Sequence, residues 1–335
     1  RLRQESDVLV GQVQCSVMKT SPLSNLGRVA RARQRLLDLW LSSDNQPEDE
    51  RRLAVLDYEA GRLHTYQNEF VEATRYLEHV LPRARERGDA ELLTKARLLL
   101  ARIYGLRGLI SQAVSMLEQV VQAVPPSVED DIEWARAYIY LGIFQALAGR
   151  AVSGYQYAQK IEHKLLSDPP ADYKLVSFLN LGFFYYSAGC YDTAIATLQA
   201  MRELANAQTQ AGHDPVPQIV CFELLAFCWG EQGSADLALE LYKEAAIGRR
   251  QFSLHNWQDL LLAHHAQLLL QRGEPQAAIE QAQAALAAGA TLAGSFGAPM
   301  AQRVWGRALA ALGAPAAEVD EHLRESLRIA EQVGN

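Results

Sequence analysis

Three groups of side chains in this chain of 335 residues are of types that could do chemistry. His264 and His265 could ligate a metal or move protons. Cys221 and Cys228 could offer thiolates. Arg28, Arg31 and Arg35 share one face of a predicted helix, with Arg33 nearby, and could take phosphate or carboxylate groups. Spacing weakens all three. Neighbouring residues on a helix point about 100° apart, so the two imidazoles read as one at the core edge and one on the surface. The cysteines, seven apart, can share a helix face, but no His stands at ligand spacing and buried thiols are the simpler reading. The arginine stripe has no aromatic platform or base-reading motif beside it and reads as a solvated face. The acidic runs Glu48-Asp49-Glu50 and Glu129-Asp130-Asp131 stand where helices begin, and there they favour the positive end of the helix dipole.

No motif of a catalytic class is present. There is no G-x-x-x-x-G-K-S/T, no G-x-G-x-x-G after a strand, no G-x-S-x-G and no H-E-x-x-H. No catalytic residue, metal or cofactor is therefore assigned, and the expectation is a protein that is not an enzyme. The formal charge of -7 argues against a nucleic-acid-binding module. With 49% hydrophobic residues the chain can bury a core rather than stay disordered. No apolar run reaches the ~18 residues of a membrane span. The four cysteines form no C-x-x-C pair, which fits reduced thiols in the cytoplasm. The chain begins at Arg1 without Met, so it is expected to be a piece of a longer protein.

The elements that carry these side chains follow one beat. The stretch 173–201, YKLVSFLNLGFFYYSAGCYDTAIATLQAM, reads as two amphipathic helices joined at Gly189. Gly182 lies inside the first helix, where glycine costs ~1 kcal/mol relative to Ala, so a packing reason is expected. Small residues recur at Gly61, Ala101, Gly142, Gly182, Ala226, Ala266 and Gly306, with separations of 40, 41, 40, 44, 40 and 40. Twelve residues after the first six stand Ala73, Ala113, Gly154, Ala194, Ala238 and Ala278. Seven residues after each member of the first series, Gly61 to Gly306, comes a turn, at Asn68, Gly108, Gly149, Gly189, Gly233, Gly273 and Gly313. A fixed period with this punctuation is the mark of stacked helical hairpins, none of which can bury its apolar face alone.

The spacing resembles the tetratricopeptide repeat over residues 47–335. In that family a small residue in the first helix is followed 12 residues on by Ala in the second. Another small or apolar residue follows seven further on, here Val80, Val120, Ile161, Met201, Ala245 and Ala285. Pro125 fits the helix-ending slot of one repeat. The aromatic three after the first small residue is kept at Tyr104, Tyr185 and Trp229 and lost at His64, Gln145, Leu269 and Leu309. The period exceeds the usual 34. Repeats near 40 residues resemble those of large bacterial signal-transduction regulators of the maltose-activator and LuxR type and related antibiotic-regulatory proteins. They also resemble kinesin light chain and spindle-orientation adaptors. The resemblance implies an all-α, right-handed superhelical solenoid of about seven hairpins. The expected repeats run near 47–88, 89–127, 128–170, 171–214, 215–253, 254–294 and 295–335. Residues 1–46 are expected to form a terminal capping pair of helices, over 1–19 and 25–41, with a polar loop at 42–50. A helix is expected over 255–271, a flexible linker over 289–299 and a helix from 300.

In that family the first helix of each hairpin lines a concave groove. The inward positions lie six and three before, and one, four and five after, the small residue. The resemblance thus assigns partner or ligand contact to Tyr58, Arg62, Tyr66, Arg102, Arg136, Ile139, Ile143, Phe183, Tyr186, Glu223, Phe227, Gln267, Arg303 and Arg307, with Lys95, Leu98, Leu179 and Gln271 beside them. The middle of this groove is apolar and aromatic and its ends are basic. It suits a protein or peptide segment that is amphipathic or acidic-ended, or a small apolar effector. The family's carboxylate clamp needs Asn one residue after the small position. Here Arg62, Arg102, Ile143, Phe183, Phe227, Gln267 and Arg307 stand there, so a clamp for C-terminal chaperone tails is rejected. Two functions follow: a sensing module of a bacterial transcriptional or signalling regulator, or a free-standing scaffold that assembles other proteins.

Overall fold

The computed structural model describes residues 27, 29–34, 37–38, 47–67, 69–123, 132–167, 171–210, 216–252, 254, 257–290 and 295–334. The helix expected over 1–19, Arg28 and Arg35 of the arginine stripe, the loop before Pro47, Asn68 and Pro125 lie outside the described residues. So do the acidic run at 129–131, the side chain of Tyr66 and residues 291–294 of the expected linker. All the regular structure among the described residues is α-helical. It divides between two compact units, residues 1–103 and 104–335.

In the first unit α1 (Pro47–Tyr66) and α2 (Phe70–Glu86) form a hairpin. Gly61 lets them close, for a Cβ there would stand 3.2 Å from the carbonyl oxygen of Ala73. Val29 and Ala32 pack on Leu53, Leu56, Ala60 and Leu63 of α1. Asp57 is fully buried and paired, taking Arg33 Nε at 2.6 Å and Arg83 Nη1 at 2.9 Å. One carboxylate therefore ties the segment before α1, α1 itself and α2. α3 (Ala90–Leu106) follows and ends in the second unit.

The second unit continues with α4 (Ile110–Ala123), α5 (Ile132–Leu147), α6 (Ala151–Ser167), α7 (Ala171–Ser187), α8 (Tyr191–Gln210), α9 (Val216–Glu231), α10 (Ala235–Phe252), α11 (Gln258–Gln271), α12 (Pro275–Ala290), α13 (Gly297–Ala311) and α14 (Ala316–Gly334). Each hairpin pairs within itself, and the first helices α5, α7, α9, α11 and α13 lie side by side in order. The last helix, α14, returns to touch α4.

The turns and the small positions have a common physical basis. Gly108, Gly149, Gly189, Gly233, Gly273 and Gly313 all take φ between 72° and 81°, where a Cβ is disfavoured. The next N–H reaches back to close the helix, as Cys190 N does to Tyr185 O at 2.8 Å. Inside the hairpin α5–α6 glycine faces glycine, and a Cβ on Gly154 would stand 2.5 Å from the carbonyl oxygen of Gly142.

Two helix starts differ from the sequence expectation by three residues each. α11 starts at Gln258 rather than 255, because Trp257 adopts a left-handed φ of 58° that a helix cannot include. α13 starts at Gly297, three residues before the expected start at 300 and inside the stretch expected as linker. The carboxylate of Asp259, 2% exposed, accepts the Gly297 N–H at 2.9 Å and the Ser295 hydroxyl at 2.6 Å. Ser295 Oγ accepts the Ala298 N–H in turn, as a helix cap. The buried acid on α11 thus nucleates the first turn of α13.

Candidate ligand-binding wall

The sequence-assigned residues separate by unit. In the first, Tyr58, Arg62 and Arg102 are half-buried, and Arg62 gives two hydrogen bonds to Glu59, at 2.9 and 2.7 Å. In the second, Arg136 is half-buried, while Ile139 and Ile143 lie inside the packing. Phe183, Glu223, Phe227 and Gln267 are also buried, from 3 to 8% exposed. Glu223 is spent on an internal ion pair with Arg249 at 2.6 Å, and burial holds its pKa above the ordinary carboxylate value. Tyr186 is half-buried, and Arg303 and Arg307 are exposed.

These placements follow from how α7, α9 and α11 converge. Phe183 and Tyr186 stand one and four residues after Gly182, on the same face of α7. Both reach past α9. Phe183 meets the ring of Trp257 at 4.7 Å between centroids. The Tyr186 hydroxyl bonds Nε2 of His264 at 2.7 Å. Phe227 of α9 fills the space between, stacked on His264 at 3.7 Å. The middle of the expected apolar groove is therefore a packed aromatic floor, since side chains this large, two hairpins apart, bridge the gap between the helices that bear them. Burial leaves both polar members neutral at physiological pH. The imidazole of His264 is pushed down to about 3, first by burial and then by the Arg303 guanidinium. The Tyr186 phenol is held well above its ordinary value, first by burial and then by the carboxylate of Glu231.

Above this floor runs a polar strip. Gln267 on α11 donates Nε2 to Glu231 Oε1 of α9 at 2.9 Å and accepts Arg303 Nη2 of α13 at 3.3 Å. Gln271, one turn on, donates to the carbonyl of Gly230 at 2.9 Å. Tyr191, at the start of α8, sits 6.1 Å from Tyr186 between ring centroids. The position rule reaches Glu231, five residues after Ala226. It cannot reach His264 or Trp257, which occupy no inward slot and join the wall only through contacts two hairpins away.

The histidines and cysteines first weighed for chemistry are packed among other side chains. His264 is core and His265 is half-buried, stacked on Tyr242 at 4.2 Å. Cys221 and Cys228 are buried free thiols, both pushed up to about 12 by burial, which suppresses the reactive thiolate. Among the described residues no cluster of three or more His, Cys, Asp or Glu could hold a metal ion, and no helix is long and apolar enough to cross a membrane. A second concavity, a cleft of about 910 Å³ between α4 and α6, is lined by polar groups including Ser111, Ser115, Glu118, Gln145, Arg150 and Lys160.

No protein-family model matches the chain, and no curated protein matches it. Solved structures do. A Rap protein complexed with competence and sporulation factor is 13% identical, covers 96% of this chain and 84% of its own, and has a TM-score of 0.63. The Rap conjugation gene regulator of the plasmid pLS20, in complex with the Phr* peptide, is 12% identical over 98% of this chain and 96% of its own, with a TM-score of 0.57. A tetratricopeptide repeat protein from Parabacteroides merdae is 13% identical over 97% and 99%, with a TM-score of 0.49. Identities this low speak to fold alone. The fold is an all-α solenoid of tetratricopeptide-like hairpins, and the likeness to regulators of the maltose-activator type rests on the sequence only.

Proposed function

We propose that this chain is a non-catalytic binding module that takes a peptide, or a segment of a partner protein, on the inner wall formed by α7, α9, α11 and α13. It acts as the sensing part of a bacterial regulator and works in the cytoplasm. The observation that carries this reading is the polar strip of Glu231, Gln267, Gln271 and Arg303 over an aromatic floor rigid enough to present it. Rigid presentation lowers the ordering cost of binding. Of the two Rap structures similar in fold, one was solved with competence and sporulation factor and the other with the Phr* peptide, and the latter supports a peptide as the ligand class. A small apolar effector is less well served, because the aromatic rings of the floor pack on one another.

The test is a selection from a random peptide library on the immobilised protein, followed by amide hydrogen exchange of the complex with the best peptide. The expected result is a binder that slows exchange in α9, α11 and α13. Failure to select any binder, or protection confined to the cleft between α4 and α6, overturns the reading.

A further inference from the structure

The charges on this wall are arranged in a definite order. Arg62 is satisfied by Glu59, Lys95 by Glu91 and Glu223 by Arg249. Glu231, Arg303 and Arg307, by contrast, make no ion pair among the described residues. Glu231 and Arg303 are instead held one amide apart. Gln267, only 8% exposed, spends one N–H on the carboxylate and one lone pair on the guanidinium. An amide in that position keeps the two ions from collapsing onto each other, yet fixes both in place. The sequence of charge across the wall is then acid on α9, amide on α11 and base on α13, where Arg307 repeats the base one turn along. Both ions act on one spot: each of their fields reaches the phenols of Tyr186 and Tyr191, with opposite sign.

Resting on the peptide reading above, we infer that the bound segment is itself dipolar, with a basic side chain over Glu231 and an acidic side chain over Arg303 and Arg307. An extended strand repeats its facing side chains every second residue, about 6.6 Å. The two hydrogen bonds of Gln267, 2.9 and 3.3 Å, with its amide between them set the charges apart on this same scale, so the inferred motif is a base and an acid with a single residue between them. Opposite charges set in a fixed order also fix the direction in which the segment lies, since the reversed segment would face acid with acid and base with base.

The experiment uses the peptides recovered by the selection. The expected outcome is enrichment of a Lys or Arg and an Asp or Glu two positions apart, in one order. Arg303→Glu should weaken the best such peptide at least tenfold, and changing the peptide's acid to Lys should restore its binding to that variant. Arg307→Glu, at an exposed position, serves as a second variant whose folding circular dichroism can confirm. Peptides that protect the wall but show no charge pattern, or a charge swap that rescues nothing, overturn this inference and leave the peptide reading intact. A selection with no binder overturns both.

Discussion

The hydroxyl of Tyr186 lies 2.7 Å from Nε2 of His264, although 78 residues separate the two in the chain. The bond joins helices two hairpins apart, with Phe227 of the intervening helix stacked on the imidazole face. It pins the relative placement of α7, α9 and α11, and so the spacing of every group on the wall they share.

The first prediction concerns pH. His264 is about 3 in the folded protein against an ordinary value near 6.5. The unfolded chain therefore binds a proton that the folded chain refuses over that interval. The stability His264 confers is fully present above pH 6.5 and is lost as pH falls toward 3, at up to about 1.4 kcal/mol per pH unit. Urea unfolding measured between pH 7 and pH 4 should show this slope, and His264→Phe should flatten it. Equal slopes in the two proteins would remove His264 as the cause.

A second prediction separates packing from binding. Phe227 is 3% exposed and Phe183 8% exposed. Either change to Ala should cost about 3–5 kcal/mol of stability by opening a cavity. Any loss of peptide binding in those variants should track unfolding. Arg303→Ala, at an exposed position, should stay within about 0.5 kcal/mol of wild type. Thermal melts of the three variants give the comparison, and a Phe227→Ala melt equal to wild type would refute the packing role.

The third concerns close approach. A Cβ at Gly154 would meet the backbone oxygen of Gly142 at 2.5 Å, and one at Gly182 would meet Leu198 Cδ2 at the same distance. Backbone in a packed hairpin cannot step aside, whereas the Leu198 side chain, met at Cγ as well at 2.6 Å, can shift. Gly154→Ala should therefore destabilise by about 1–3 kcal/mol more than Gly182→Ala, despite the better helix propensity of alanine at both sites. Denaturant midpoints of the two variants decide it, and the reverse order would mean that the α5–α6 contact can relax.

The repeat architecture could be read directly from the chain because it depends on local, periodic requirements. A left-handed turn every 40 residues or so demands glycine, and close helix contact demands Gly or Ala twelve residues apart. Gly142, Gly149 and Gly154 meet these needs within one hairpin, as Gly182, Gly189 and Ala194 do within the next, so sequence distance and spatial distance agree. The start of α13 could not be read this way, because Asp259, which caps it, belongs to another hairpin.

The amino-acid sequence by itself determined the all-helical class and the beat of the hairpins, since both follow from helix periodicity and backbone sterics. Only the tertiary structure decided that Phe183, Phe227, Glu223 and Gln267 are buried in the wall, while Glu231 and Arg303 reach its surface. The reason is that the outcome turns on how far a side chain reaches across neighbouring hairpins. That distance is set by the angle at which whole helices pack, and no single stretch of chain encodes it.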